Sequence, residues 1–430
     1  MITKRLSQLK DKFYKFGIDG YAIPKNDEFF SEYSQKDRLK TISNFTGSAG
    51  FAIILKDQNY LFVDGRYTIQ AEMESGKNFK IINYNKIINC NLFKNLTLGI
   101  DPQIFTYQKI KKFFLKYNKV KFIKKNLIDE IEKKKTDYIS PFFSLKKHIV
   151  GESSNSKLIK ISNYLKKNKS DYIFISAPEN VAWILNIRGN DGPNSPIPNA
   201  RLIISKTKKI FLISNLKKCK NLFKKKILNV NQFIDIKKFE KKILELKGKS
   251  FIIDNNSCSI FFEDIIKSKF KIIKREDPTY HFKSVKNKTE INNMIKTHVS
   301  DGVALTKFIY WIKKVNKKKI TEVDAQNKLE RFRRMNKNYL YPSFDTIAGA
   351  GKNGAIVHYR ANKNNCKIIK HEDIFLCDSG GQYKYGTTDV TRTICFSRPN
   401  QYIKNIFTYV LKGHIAVATS NLIKKNILIT

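Results

Sequence analysis

Residues 374–396, IFLCDSGGQYKYGTTDVTRTICF, limit the fold more than any other stretch of the chain. An apolar run, a glycine-containing turn and a second β-rich run do not make a helix; they fold back as a strand pair. Asp378 closes the first run and Asp389 opens the second, a spacing too long for one helix turn but natural across paired strands. Two carboxylates held close together repel unless one is protonated or a cation lies between them. Oxygen donors suit Mn, Mg, Ca and also Zn, so the pair points to a hard cation without naming it. The same residues admit a plainer role. Asp378 could cap the turn at Ser379-Gly380-Gly381, and Asp389 could bond back to Thr391.

Upstream lies SFDTIAGAGKNGAIVHYR, residues 343–360, which brings His358 to the end of the short apolar stretch Ala355-Ile356-Val357. The other histidines, at 148, 281, 298, 371 and 414, lack H-E-x-x-H spacing. Asp378-Ser379-Gly380 lacks the G-x-S-x-G elbow of a serine nucleophile, and no kinase set of glycine-rich loop, β3 lysine and H-R-D occurs. Metal-assisted hydrolysis is the chemistry that fits these residues best.

The rest of the chain alternates helical and strand patterns, as an α/β protein does. Residues 1–140 form a first unit. It has a helix carrying Ile2, Leu6, Leu9, Phe13 and Phe16, then strands Phe51 to Leu55 and Tyr60 to Val63. Thr46-Gly47-Ser48-Ala49-Gly50 reads as a strand-entry turn, since it matches neither phosphate-loop pattern. A second unit, 145–280, has strands at Tyr172 to Ile175, Arg201 to Ile204, Ile210 to Ile213 and Phe251 to Asp254, and a helix Pro178 to Leu185. Between them RGNDGPNSPIPNA, residues 188–200, is too rich in Pro, Gly and Asn for helix or central strand, and reads as either a functional loop or a connector.

A third unit, 285–430, opens with a long helix containing Ile291, Met294, Ile295, Val299, Leu305, Phe308, Ile309 and Ile312, where Asp301-Gly302 suggests a bend or a closely packed backbone. A second helix, Val323 to Met335, sets an apolar side against Glu322, Glu330, Arg331 and Arg334, and both helices read as scaffold.

A formal net charge of +45, from 82 Lys plus Arg against 37 Asp plus Glu, raises the question of a polyanion partner. The lysines are spread through nearly every segment, as at 111–112, 133–135, 224–226 and 317–319, without a nucleic-acid-binding signature. They read as solvated surface, so no specific nucleic acid is expected. Six cysteines, at 90, 219, 258, 366, 377 and 395, form no C-x-x-C pair, and no apolar run reaches the length of a membrane span. A cytoplasmic protein with no membrane partner is the expectation.

DTIAGAGKNGAIVHY (345–359), LCDSGGQYKYGTTDVTRT (376–393), NFTGSAG (44–50), FVDGRYTIQA (62–71), NVAWILNIRG (180–189) and KNKTEINNMIKTHVSDGVAL (286–305) together resemble the three-domain Xaa-Pro aminopeptidases, or aminopeptidases P. The resemblance implies two related creatinase-like α/β domains followed by the start of an α+β pita-bread catalytic domain. It implies a homodimer, two divalent metal ions, usually Mn2+, and short peptides with proline at the second position as substrates. By the same resemblance Asp378 binds one metal, Asp389 bridges both, and His358 binds substrate and handles charge at the reacting amide. Lys352 stands where relatives have proline, which softens the loop before His358. The family adds one histidine and two glutamates beyond the region that ends at Thr430. Two aspartates offer too little charge and too few donors for a metal pair, so weak metal binding and no turnover are expected of residues 1–430. The alternatives are an inactive homologue serving as a dimerisation module and a related dinuclear-metal dipeptidase.

Overall fold

The structure, a computed structural model, describes residues 2–31, 34, 36–87, 93–132, 139–315 and 320–420. Cys90 and the lysine clusters 133–135 and 317–319 lie outside the described residues. The chain divides into two compact units. One holds Met1–Gly302, Asn336–Asp345 and Gly380–Thr388; the other holds Val303–Met335, Thr346–Ser379 and Asp389–Thr430.

In the first unit, strands β1 (Gly20–Pro24), β2 (Phe51–Leu55), β3 (Asn59–Val63), β4 (Lys80–Asn83), β5 (Thr97–Ile100) and β6 (Lys119–Phe122) form one sheet in the order β4-β3-β2-β1-β5-β6. Both faces are covered because apolar side chains alternate between them. Ala52, Ile54, Leu61 and Val63 join Leu6, Leu9 and Phe13 of the helix Ile2–Phe16. Phe51, Ile53, Tyr60 and Phe62 face the opposite way, among Phe105, Ile110 and Phe114.

A short pair, β7 (Phe143–Ser144) and β9 (Ile187–Arg188), brackets the next strand, β8 (Tyr172–Ile175). With β10 (Arg201–Ser205), β11 (Ile210–Ser214), β12 (Phe233–Asp235), β13 (Ser250–Ile253) and β14 (Lys271–Lys274), β8 builds a second sheet ordered β12-β11-β10-β8-β13-β14. The two sheets share one plan. In each, the first strand pairs antiparallel with the second and parallel with the fifth, the second and third are antiparallel, and the outer pairs are parallel. The segment 189–200 has no regular structure.

Helix Lys288–Lys314 runs without interruption through Asp301-Gly302, where a bend is suggested by the sequence. Gly302 has open space where a side chain would sit, so it marks no close packing there. Leu305, Phe308 and Ile312 are buried, whereas Ile291, Ile295 and Val299 are exposed.

The strands β15 (Tyr339–Pro342), β16 (Ile347–Ala350), β17 (Ile374–Ser379), β18 (Gly381–Tyr383), β19 (Gly386–Thr387) and β20 (Val390–Cys395) form two small sheets, β15-β18-β19 and β16-β17-β20. The core of the second unit lies on one face of β16-β17-β20. There Ala348, Ala350, Phe375, Cys377 and Ile394 pack with Ala325 and Leu329 of the helix Glu322–Arg334 and with Phe308 and Ile312. In the helix Gln401–Ala418, Phe407, Val410, Leu411 and Ile415 are exposed. Among the described residues no helix is long and apolar enough to cross a membrane, and Cys219, Cys258, Cys366, Cys377 and Cys395 are free thiols.

Candidate metal centre

Alternation along β17 decides where Asp378 points. Phe375, Cys377 and Ser379 turn into the core, so Ile374, Leu376 and Asp378 share the other face. In the antiparallel register Asp378 stands opposite Thr391 of β20 and Ile347 of β16. Asp389 immediately precedes β20, two residues before Thr391, so the two-residue period puts it on the same face as Thr391, diagonal to Asp378. The carboxylates flank an inserted hairpin, β18 to β19, instead of the simple turn read from the sequence.

Asp378 senses the charge of Asp389. Asp378 is half-buried and its carboxyl is held above the ordinary carboxylate range. Burial is the main cause, and the charge of Asp389 adds to it. A 2.8 Å hydrogen bond donated by Thr391 Oγ1 to Asp378 Oδ1 and the nearby His358 act in the opposite sense. Asp389 is exposed. Asp378, Asp389 and His358 thus form one electrostatic neighbourhood.

His358 sits in a turn, half-buried, with a left-handed backbone (φ 56°) that costs a non-glycine residue free energy and needs neighbours to enforce it. The loop before it depends on two glycines. Gly351 has φ +54°, and a side chain on Gly349 would run into the backbone of Gly354 at 2.8 Å.

The loop is fastened by Glu322, which is fully buried at the start of its helix and not on the polar outer face assigned to it from the sequence. Its Oε1 accepts from the Ala350 amide (2.7 Å) and Asn353 Nδ2 (3.0 Å). Its Oε2 accepts from the Tyr359 hydroxyl (2.8 Å) and the Lys367 amide (2.9 Å). The Tyr359 phenol is pushed up, by burial first and then by the Glu322 charge. Arg333, also buried, donates to Ser379 Oγ at 3.1 Å, one residue from Asp378. Sequence reasoning passed over both residues because each sits in a helix that looks like amphipathic scaffold; the one available signal was the Thr321-Glu322-Val323-Asp324 capping box.

Among the described residues no group of three or more His, Cys, Asp and Glu side chains stands ready to hold a metal. The donors that do come together are carboxylate oxygens, the type a hard divalent ion takes.

The chain matches the creatinase/prolidase N-terminal domain twice, at residues 5–131 and 133–290, and metallopeptidase family M24 at 292–426. It is similar to a probable Xaa-Pro aminopeptidase P of Laccaria bicolor, 33% identical over 97% of this chain and 68% of that one. It is also similar to Xaa-Pro aminopeptidase 1 of Dictyostelium discoideum, 31% identical over 97% and 71%. The crystal structure of an X-prolyl aminopeptidase from Caenorhabditis elegans, described as a cytosolic enzyme with a di-nuclear active site, superposes with a TM-score of 0.87 at 24% identity, covering 96% of this chain and 73% of that one. The fold is therefore two creatinase-like α/β domains followed by pita-bread structure, as expected. With relatives above 30% identity matched over more than two thirds of their length, the chain belongs to the Xaa-Pro aminopeptidase P family.

Proposed function

We propose that the protein releases the N-terminal residue from short peptides with proline at the second position, at a pair of divalent metal ions, Mn2+ in our reading, to which Asp378 and Asp389 contribute carboxylates. The observation that carries this reading is that Asp378 of β17 and Asp389, just before β20, share one face, where the Asp389 charge raises the cost of ionising Asp378. A cation relieves that repulsion, and the metals, when bound, supply a water acidified for attack on a carbonyl.

The chain's own contribution is positional. Thr391 holds one Asp378 oxygen, which leaves the other for a ligand. His358, beside Asp378, donates to the oxygen on which charge develops at the scissile amide. Glu322 keeps the His358 loop fixed through Tyr359, Asn353 and two backbone amides. Proline has a fixed φ and no amide N–H, so a dedicated pocket distinguishes it from other residues.

We further infer domains at 1–140, 145–280 and 285–430, a homodimer and a cytoplasmic location, and we assign no nucleic-acid or membrane partner. The second reading, an inactive homologue, is favoured by the lack of a third metal-binding side chain beside the two aspartates among the described residues.

The deciding experiment follows residue release from an X-Pro peptide and its X-Ala counterpart with Mn2+ present, in wild type and Asp389→Ala. Release that requires both proline and Asp389 supports the peptidase. Equal cleavage of X-Ala contradicts the substrate, and bound metal without turnover selects the inactive homologue.

A further inference from the structure

The irregular segment 189–200 and the start of β10 line a cavity of about 500 Å³ in the first unit, and neither Asp378 nor Asp389 lines it. At its wall stands Arg201, only 6% exposed. The guanidinium carbon lies 4.1 Å from the Phe29 ring centroid and 4.3 Å from that of Phe262, so an aromatic ring meets it on either contact. One Nη2 hydrogen goes to the backbone carbonyl of Glu28. Among the described residues no carboxylate is within ion-pair distance of Arg201, and its other N–H groups have no protein acceptor.

The other charges around the cavity are largely matched. Lys218 pairs with the buried Asp191 at 2.7 Å, and Asp191 also accepts the Asn199 amide at 2.6 Å. Glu28 pairs with Arg38. Asp27 accepts the Phe29 and Ser31 amides, and its burial pushes the carboxyl up, towards the neutral form. Lys36, also lining the cavity, makes no ion pair among the described residues, though it senses the Glu28 charge. Arg201 and Lys36 are thus the lining cations without an ion-pair partner among the described residues. Burial pushes the Arg201 pKa down to about 10, and the charges of Glu28 and Asp27 only partly offset it.

We propose that this cavity binds a small organic carboxylate or phosphate, with the anionic oxygens held by Arg201 and with Lys36 also lining the cavity. Aromatic contact with the guanidinium faces leaves its edge for hydrogen bonding, and that edge is the fork that engages two oxygens of a carboxylate or phosphate at once. A volume near 500 Å³ is within the range of small-molecule sites. The site does not depend on the aspartate pair, so the failure of either reading leaves the other standing.

The test is calorimetric titration of the 430-residue chain with inorganic phosphate and, separately, with succinate at constant ionic strength, with chloride as the control anion. We expect saturable one-site binding of at least one of them, and the stronger arm identifies the source of the oxyanion. Arg201→Met should weaken binding by about tenfold or more, Arg201→Lys, which keeps the charge but not the fork, by about threefold to tenfold, and Lys36→Met by about threefold. Should Arg201→Met fail to fold by circular dichroism, Arg201→Lys and Lys36→Met decide: weaker binding in both supports the site, and wild-type binding in both overturns it. No saturable binding of either anion, or unchanged binding in folded Arg201→Met, also overturns the proposal.

Discussion

Thr391 donates a 2.8 Å hydrogen bond to Asp378 across the β17–β20 pair, and Asp389 lies one same-face step before that threonine. The strand register alone thus brings both carboxylates and a hydroxyl that orients one of them to a single face. Thr391→Val keeps the shape and removes the donor. It should weaken Mn2+ binding by about tenfold, the usual effect of losing a partner behind a metal ligand. Fluorescence or calorimetric Mn2+ titration checks this, and an unchanged affinity would mean that Asp378 is not oriented for a metal.

The second prediction concerns Glu322. Replacing it with Ala removes the acceptor of two backbone N–H groups and one partner each of the Tyr359 phenol and the Asn353 amide, at an expected cost of about 3–5 kcal/mol. Glu322→Gln keeps one acceptor and should cost about 1–3 kcal/mol. Amide hydrogen exchange at Ala350 and Lys367, the two backbone donors to Glu322, should accelerate in both variants, more in Ala. Wild-type protection at both amides would show that the His358 loop is held by something else.

Lys157 gives a pH dependence. Its ammonium is buried 4.1 Å from the Trp183 ring and donates to Trp183 O (2.9 Å) and Asn186 Oδ1 (2.7 Å). Burial pushes its pKa down to about 8, partly offset by Glu290 and Glu152. In the unfolded chain the value returns to about 10.4. Below the folded value both states hold the proton and the desolvation cost is fully present. Between the two values the unfolded chain holds a proton that the folded chain has released, so stability rises with pH. Melting curves from about pH 7.5 to 9.5 should show the wild type gaining stability relative to Lys157→Met. A constant difference between them across that range would refute the assignment.

The strands around the site were readable because apolar alternation and turn residues carry them. Tyr172–Ile175 and the helix Pro178–Leu185 fall where their pattern puts them. The aspartate pair was readable because antiparallel strands fix what faces what. Glu322, Arg333 and Arg201 were not. Each is a charged residue, a type that is ordinarily exposed, and burial of a charge is settled by distant partners such as Tyr359, Ser379 or Phe29. The helix Lys288–Lys314 continues through Asp301-Gly302 because one glycine costs a helix only about 1 kcal/mol, less than the surrounding turns supply.

Titration of Mn2+ into the protein, followed by electron paramagnetic resonance in wild type, Asp378→Ala, Asp389→Ala and His358→Ala, tests the central claim most directly. The aspartate pair as metal ligands predicts saturable binding that each aspartate variant weakens by about tenfold or more, while His358→Ala changes it by less than about threefold. No saturable binding in wild type, or equal loss in His358→Ala and Asp389→Ala, would contradict the account.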